Sequence, residues 1–366
     1  MTKLSEILVQ RILDDGPLSV TDYMAACLMD ETYGYYRCQD PFGTTGDFIT
    51  APEISQIFGE MLAAFLSHIH EAMAAPDNAF LFEAGPGRGT LAADMLRAYQ
   101  LLGQKLADAP FHLYEASPLL QDSQSKAIAP KIPIFCDDLT NLPQAPLFGV
   151  ANEFFDALGV DQAIYHNGQW HERQIGITDD RLSFVTGAVL DDNRLADFRP
   201  LPDQPSAGDI IETSQLSSQL MAQLSTHIAQ FGGALLIIDY GKADNQGDSL
   251  QAVRDHQPCD ILSHQGEADI THWVDFAHLA RIAAAHHARL IGPVPQGRFL
   301  WELGISARAE ALKSTERTDQ NRQLLAAIDR LVSPAQMGQA FKVALLVPRG
   351  EGLPPGFASL AENEIG

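Results

Sequence analysis

Three glycines at alternate positions, Gly85, Gly87 and Gly89, separate the apolar run FLFEA (80–84) from TLAADMLRAYQLLG (90–103). A short apolar run of this kind reads as a buried strand. Leu91, Met95, Tyr99 and Leu102 then fall on one helical face, and Gly103 supplies a stop. The glycines therefore form a strand-to-helix loop, which is where doubly wound sheets bind ligands. Glycine tolerates positive φ and lets the backbone approach a ligand closely. The spacing is G-x-G-x-G, whereas the dinucleotide fingerprint is G-x-G-x-x-G, and the P-loop lysine is absent.

Carboxylates recur at the ends of the strands that follow. FHLYEASP ends a second strand with Glu115, placed where a carboxylate accepts hydrogen bonds from a ribose diol. IFCDDL ends a third with Asp137 and Asp138, where an acid can meet an adenine amino group. Each of these acids taken alone is as readily a helix cap. In series at successive strand ends they converge on one crevice. A fourth strand, 147–152, runs into Asn152, Glu153, Phe154, Phe155 and Asp156. Further along, SHQGEADITHWVDF offers His264, Glu267, Asp269, His272 and Asp275. Their spacing fits no standard zinc motif, so no metal is expected, and Asp275 also suits an N-cap for the helix behind it. His286 and His287, near that helix's end, read as solvated or as balancing its dipole.

These residues need a scaffold, and the wider pattern supplies one. Strands are expected at 79–84, 111–115, 132–136, 147–152, 234–239, 288–292 and 340–347. Helices are expected between most of them, at 91–102, 118–128, 214–230, 274–286 and 318–332. Such alternation predicts a parallel α/β sheet. Two segments interrupt it: 161–190 reads as extra antiparallel strands, and 242–272 as polar and irregular. Ahead of the sheet, helices are expected at 3–13, 20–29 and 53–70, and the turn-rich stretch 31–55 argues against regular structure around Gly34, Gly43 and Gly46. The boundaries expected are an N-terminal helical extension and lid at 1–75, a catalytic domain at 76–350 with insertions at about 161–205 and 242–272, and a tail at 351–366.

Composition narrows the partners. The chain has 366 residues, 46% of them hydrophobic, and a net charge of −23. That field repels duplex nucleic acid unless a dense basic patch offsets it, and no run of Lys or Arg makes one. It suits a basic or neutral protein partner, or a cationic group on one. Cys27, Cys38, Cys136 and Cys259 form no C-x-x-C pair, and scattered thiols suit a reducing compartment. The N-terminus reads as neither secretory signal nor transit peptide, and no apolar run is long enough to span a membrane, so a cytoplasmic protein is expected. The 161–190 insertion could offer an edge to a partner or to a homodimer.

The glycine loop resembles the first motif of class I S-adenosylmethionine methyltransferases, in which an acidic residue precedes the loop and the backbone packs on the cofactor. That likeness gives Glu83 an ammonium group to face. Taken together, GDFITAPEISQIFGE (46–60), GPGRGTLAADMLR (85–97), ANEFFDAL (151–158) and GGALLIIDYG (232–241) resemble the MidA-type methyltransferases over nearly the whole chain. The family includes the mitochondrial complex I assembly methyltransferase. The resemblance implies a class I methyltransferase Rossmann-like sheet with an N-terminal helical extension and insertions, S-adenosyl-L-methionine as cofactor, and arginine methylation of a protein partner, for the mitochondrial relatives a complex I subunit. Gly159 departs from the family, which places proline after NEFFDAL.

Within that reading the fourth strand end faces the transferred methyl group. Glu153 and Asp156 are expected to grip a guanidinium, a planar cation that carboxylates bind in bidentate fashion. Phe154 and Phe155 wall the pocket or belong to the core. GDFITAPEIS is expected to form a lid, with Thr50 and Glu53 facing the cofactor and Pro52 at the first helical position. Asp269, His272 and Asp275 would border the acceptor, as would Asp239 and Tyr240. Competing readings are a dinucleotide oxidoreductase, which lacks its fingerprint, an assembly chaperone that keeps the fold without the chemistry, and a small-molecule methyltransferase.

Overall fold

A computed structural model describes residues 2–38, 50–242, 247–313 and 318–360. Asp47 and its neighbours in the expected lid, residues 46–49, lie outside the described residues. The chain divides into two compact units, one of Met1–Phe48, Phe155–Gln219 and Asp244–Val274, the other of Ile49–Phe154, Leu220–Ala243 and Asp275–Gly366. The extension expected at 1–75 is thus split, and both insertions share a unit with its first part.

The second unit carries the sheet. Its strands are β1 (Phe80–Ala84), β2 (Phe111–Tyr114), β3 (Ile134–Cys136), β4 (Leu147–Asn152), β5 (Gly233–Lys242), β6 (Ala288–Pro295) and β7 (Phe341–Pro348). Across the sheet they lie in the order β3-β2-β1-β4-β5-β7-β6. The pairs β2/β3, β1/β2, β1/β4 and β4/β5 are parallel. The wholly parallel sheet expected from the alternation is corrected at one strand. β7 inserts antiparallel to both β5 and β6: the helical connection after β6 returns the chain at the end where β6 left the sheet, and a parallel strand would have needed a crossover to the opposite end. Strand order reverses between β1 and β4, so a crevice opens at their carboxyl ends.

The core explains these elements. β1 and β4 are buried at every position, as continuous apolar runs covered on both faces must be. Against the sheet packs the helix Gln56–Ala72, with Phe58, Leu62, Phe65 and Leu66 at core spacing. Ser55 breaks what the periodicity reads as one helix from 53. It sits at φ −162°, ends a short helix Ala51–Ile54 and caps the next through its hydroxyl, which accepts from Ile57 N at 3.3 Å. The expected helix beginning at Thr90 does so from Gly89 in the left-handed conformation, and Gly103 follows its last turn at φ +63°.

The first unit is built from two antiparallel sheets and the helices Lys3–Asp15 and Val20–Met29. Both helices are capped by hydroxyls: Thr2 accepts from Ser5 N at 3.1 Å and Ser19 from Asp22 N at 2.9 Å. They share a core with Leu4, Leu8, Tyr23, Cys27, Ile175 and Ile270. Truncating Leu8 to alanine there would cost about 2–5 kcal/mol. Asp161–His166, Gln169–Thr178 and Arg181–Val189 form the antiparallel strands expected at 161–190. The irregular structure expected at 242–272 is corrected: Gln251–Arg254 pairs with Gln257–Cys259 and with Asp269–Thr271. The strands are too short and polar to show a period of two. Around Gly34 a second correction applies, since Tyr35–Cys38 is a short helix.

Candidate active site

The glycine loop leaves β1 with all three glycines in the left-handed region, Gly85 at φ +62°, Gly87 at +54° and Gly89 at +82°. Two of them also have no room for a side chain. A Cβ on Gly85 would lie 2.9 Å from Phe154 Cδ2, and one on Gly89 would lie 3.0 Å from Gln124 Cα. Gly85 N donates to Tyr114 O at 3.0 Å, which ties the loop to the end of β2. These glycines are required twice over, by dihedral and by close approach.

Just before the loop, Glu83 is 3% exposed and its Oε2 has no hydrogen-bond partner among the described residues. Burial alone pushes its carboxyl up to about 8. Two further buried acceptors of the same unit are without a hydrogen-bond partner among the described residues, Gln124 Oε1 and Asn152 Oδ1. Orphaned buried acceptors cost free energy unless a ligand brings donors. A buried acceptor such as Glu83 Oε2 suits a ligand rich in N–H, such as an ammonium group.

Gln124 was not legible as a site residue. It lies on the helix Pro118–Ala127, fully buried, and its amide donates to Gly87 O at 2.8 Å and to Glu115 Oε2 at 2.9 Å. It thereby fixes the loop to the carboxylate at the end of β2. Glu115 Oε1 also accepts from Ser117 N at 2.7 Å, so the residue is half-buried and held in place. The one signal was a glutamine on the inner face of an amphipathic helix. Asp137 and Asp138 are both exposed after β3. Asp138 caps a short 3-10 turn, accepting from Thr140 N at 2.8 Å, and that hydrogen bond holds its carboxyl below the usual range.

The fourth strand ends in a strained turn. Glu153 adopts φ +51°, rare for a residue with a side chain. Its N–H donates to Ile238 O at 2.8 Å, and its Oε1 accepts from Asn152 Nδ2 at 3.1 Å and from Ala51 N at 3.3 Å. Asp239, fully buried at the end of β5, accepts from Phe154 N at 3.2 Å and from Tyr240 N at 2.9 Å. Those bonds over-determine the turn, as stored strain requires. Asp239, expected to border the acceptor, holds this backbone, and Tyr240 lies against Phe341 with ring centroids 4.0 Å apart. The half-buried Phe154 ring covers Gly85 and meets Tyr114 edge-on, whereas Phe155 is core.

The lid residues that are described reach the same loop. Glu53 Oε1 accepts from Thr90 Oγ1 at 2.6 Å, at the first residue after the glycines. Thr50 is the N-cap of Ala51–Ile54, and its side chain makes no capping bond. Pro52 is the second residue of that helix, one place later than expected, since Ala51 already has helical geometry.

In the first unit, Asp156 and Asp269 are both buried. Asp269 Oδ1 accepts from the Tyr36 hydroxyl at 2.9 Å. His272, expected to border the acceptor, is buried here. Its N–H donates to Asp156 O at 3.0 Å, and its ring nitrogens face main-chain carbonyls, Nε2 to Leu158 O at 2.9 Å and Nδ1 to Trp273 O at 3.1 Å. Burial lowers its pKa against the pull of Glu212 and those carbonyls. Asp275, expected near the acceptor or at a cap, is the cap of Phe276–Ala285, accepting from His278 N at 2.8 Å. His264 and Glu267 both pair with Arg254. Gly159 lies against Thr21, whose Cγ2 would be 2.7 Å from an added Cβ, so the family's proline would need Thr21 to move.

Residues 61–294 match the protein family described as "Putative S-adenosyl-L-methionine-dependent methyltransferase". The chain belongs to this family. It is 35% identical over 379 residues to the human protein named "Protein arginine methyltransferase NDUFAF7, mitochondrial", covering 95% of this chain and 84% of the relative. A Drosophila melanogaster homologue of the same name is 32% identical over 373 residues, covering 94% of this chain and 85% of its own. Among solved structures, a Burkholderia thailandensis protein bound to S-adenosyl-homocysteine superposes with a TM-score of 0.83 at 25% identity, covering 97% of this chain and 94% of that one.

The fold is that of class I methyltransferases, and the protein is a methyltransferase that uses S-adenosyl-L-methionine. When bound, that cofactor supplies a methyl group on a sulfonium sulfur. The crevice chemistry fits it. Glu83 Oε2 is suited to its ammonium group, the glycine backbone to its methionyl and ribose parts, and Glu115 to the diol. Among the described residues, no helix is long and apolar enough to cross a membrane.

Proposed function

We propose that the protein methylates a guanidinium nitrogen of arginine in a protein partner, with a respiratory complex I subunit as the acceptor the family resemblance implies. The observation that carries this reading is the Glu153 turn. A carboxylate on a strained backbone, at the end of β4 and beside the ring that covers Gly85, is costly to keep unless the reaction uses it. Relatives named as protein arginine methyltransferases support the acceptor type.

In this scheme the Glu153 carboxylate orients the guanidinium. Alignment of nitrogen and methyl carbon provides much of the rate. Bound S-adenosylmethionine would supply the methyl group that the acceptor nitrogen takes, with S-adenosylhomocysteine as the leaving product. The nitrogen then sheds one proton, which Glu153 accepts and returns to water. Asn152 and Asp239 keep the turn in register. We place the protein in the cytoplasm, in keeping with Cys27 and Cys136, which lie in no disulfide among the described residues. The partly exposed strand Arg181–Val189, paired along one side among the described residues, offers an edge to the partner or to a second copy.

The test is incubation of the purified protein with methyl-labelled S-adenosylmethionine and total soluble protein, or isolated complex I subunits. Acid hydrolysis then locates the label. Methylarginine is expected. Label on lysine, on a carboxylate or only on small molecules refutes the arginine assignment, and no label with intact S-adenosylhomocysteine binding favours the chaperone reading.

A further inference from the structure

We propose that Phe154 is a specificity-determining residue for the cofactor: its ring favours the sulfonium of S-adenosylmethionine over the neutral thioether left after transfer. The inference concerns the cofactor and stands whichever acceptor the enzyme uses. Its observations all lie in the second unit. The side chain lies along the glycine loop, with Cδ2, Cγ and Cβ at 2.9, 3.6 and 3.7 Å from where a Cβ of Gly85 would stand. The same ring meets Tyr114 at an interplanar angle of 85°, with centroids 5.9 Å apart. Gly85 follows β1, Tyr114 ends β2 and Phe154 follows β4. The two rings therefore sit over adjacent strand ends, where strand order reverses and the crevice opens.

Phe154 is held there by its backbone. Glu153 before it turns at φ +51°, and Phe154 N donates to Asp239 Oδ2 at 3.2 Å. The neighbouring Phe155 goes fully into the core, while Phe154 and Tyr114 stay half-buried. A bare glycine and a strained turn thus keep an aromatic ring at the crevice. The chemistry of a ring suits the cofactor. An aromatic face carries negative electrostatic potential and attracts a cation, most strongly where water is excluded. It attracts a neutral thioether no better than another apolar surface does. A carboxylate in its place would hold the sulfonium more tightly, but would favour the charged ground state over a transition state in which that charge is fading. A ring gives a milder preference, which helps S-adenosylmethionine displace the spent thioether.

The experiment is calorimetry without any acceptor protein. It gives the affinities of S-adenosylmethionine and S-adenosylhomocysteine for wild type, for Phe154→Leu and for a chain carrying a trifluorinated phenylalanine at position 154. Fluorination drains the ring face of negative potential and nearly preserves its shape. Affinity for the sulfonium is expected to fall about 3- to 30-fold in both altered chains, the range of a cation–π contact sheltered from water. Affinity for the thioether should stay within about twofold in the fluorinated chain. Glu83, Glu153 and Asp239 also favour a cation, but fluorination of the ring leaves them as they are, so a selective loss belongs to the ring. Unchanged affinity for both ligands overturns the proposal, as does an equal loss for both, which makes Phe154 a packing partner of Gly85. A selective loss confined to Phe154→Leu also overturns it, since the shape of the side chain and not its π face would then be read. Should Phe154→Leu fail to fold, the fluorinated chain decides alone.

Discussion

Glu83 should make cofactor binding strongly pH-dependent. Burial raises its carboxyl to about 8, and Oε2 has no hydrogen-bond partner among the described residues. An ammonium ion beside it would favour the carboxylate, so binding must displace the proton. With the free-state value at about 8, the protonated and ionised forms stand at roughly 100 to 1 at pH 6 and 1 to 1 at pH 8. Affinity for S-adenosylhomocysteine should thus rise about 50-fold between those values, then level off until the ligand's own ammonium group deprotonates. At pH 7 about 0.9 proton should leave per ligand bound. Calorimetry in two buffers of different ionisation enthalpy measures that release directly. Glu83→Gln should bind weakly and release no proton. The same group acts on stability with a definite sign. The folded chain keeps this proton up to about pH 8, while the unfolded chain loses it near the ordinary carboxylate value, so its contribution to stability falls as pH rises across that window. A flat affinity between pH 6 and 8 in the wild type, with no proton release, refutes the argument that Glu83 is the buried partner of the ligand.

Three other outcomes are expected. Glu153→Gln should lose methyl transfer by about 100-fold or more while binding S-adenosylhomocysteine as wild type; full turnover would remove it from the reaction. Gly85→Ala combines a φ of +62° with a Cβ 2.9 Å from Phe154, a strain of roughly 1–3 kcal/mol, and should weaken binding about tenfold or more; unchanged calorimetric affinity would show that the loop relaxes freely. Gln124→Leu removes the donor shared by Gly87 O and Glu115 Oε2, and should raise the dissociation constant about 5- to 30-fold. A shift in melting temperature without a change in affinity would make Gln124 purely structural.

Much of the site was legible because its signals are local. FLFEA is one apolar run, the glycines sit next to it in the chain, and the strand ends at Glu115 and Asn152 follow from where apolar runs stop. The helices Lys3–Asp15, Val20–Met29 and Thr318–Val332 were visible for the same reason, since periodicity and caps lie within a few residues of each other.

What only the tertiary structure decided are matters of partnership. Whether β7 runs parallel or antiparallel depends on the end of the sheet to which the last helices return the chain, and its own apolar pattern is the same either way. The short strands at 251–271 exist because they pair, and alone they carry too little period to be seen. Asp239, His272 and Gln124 are ordinary polar residues in sequence. Their hydrogen bonds are to backbone groups brought to them from distant parts of the chain. The chemistry was therefore written in residue types at strand ends, and the geometry that restrains those residues arises from long-range hydrogen bonds, which no local pattern encodes.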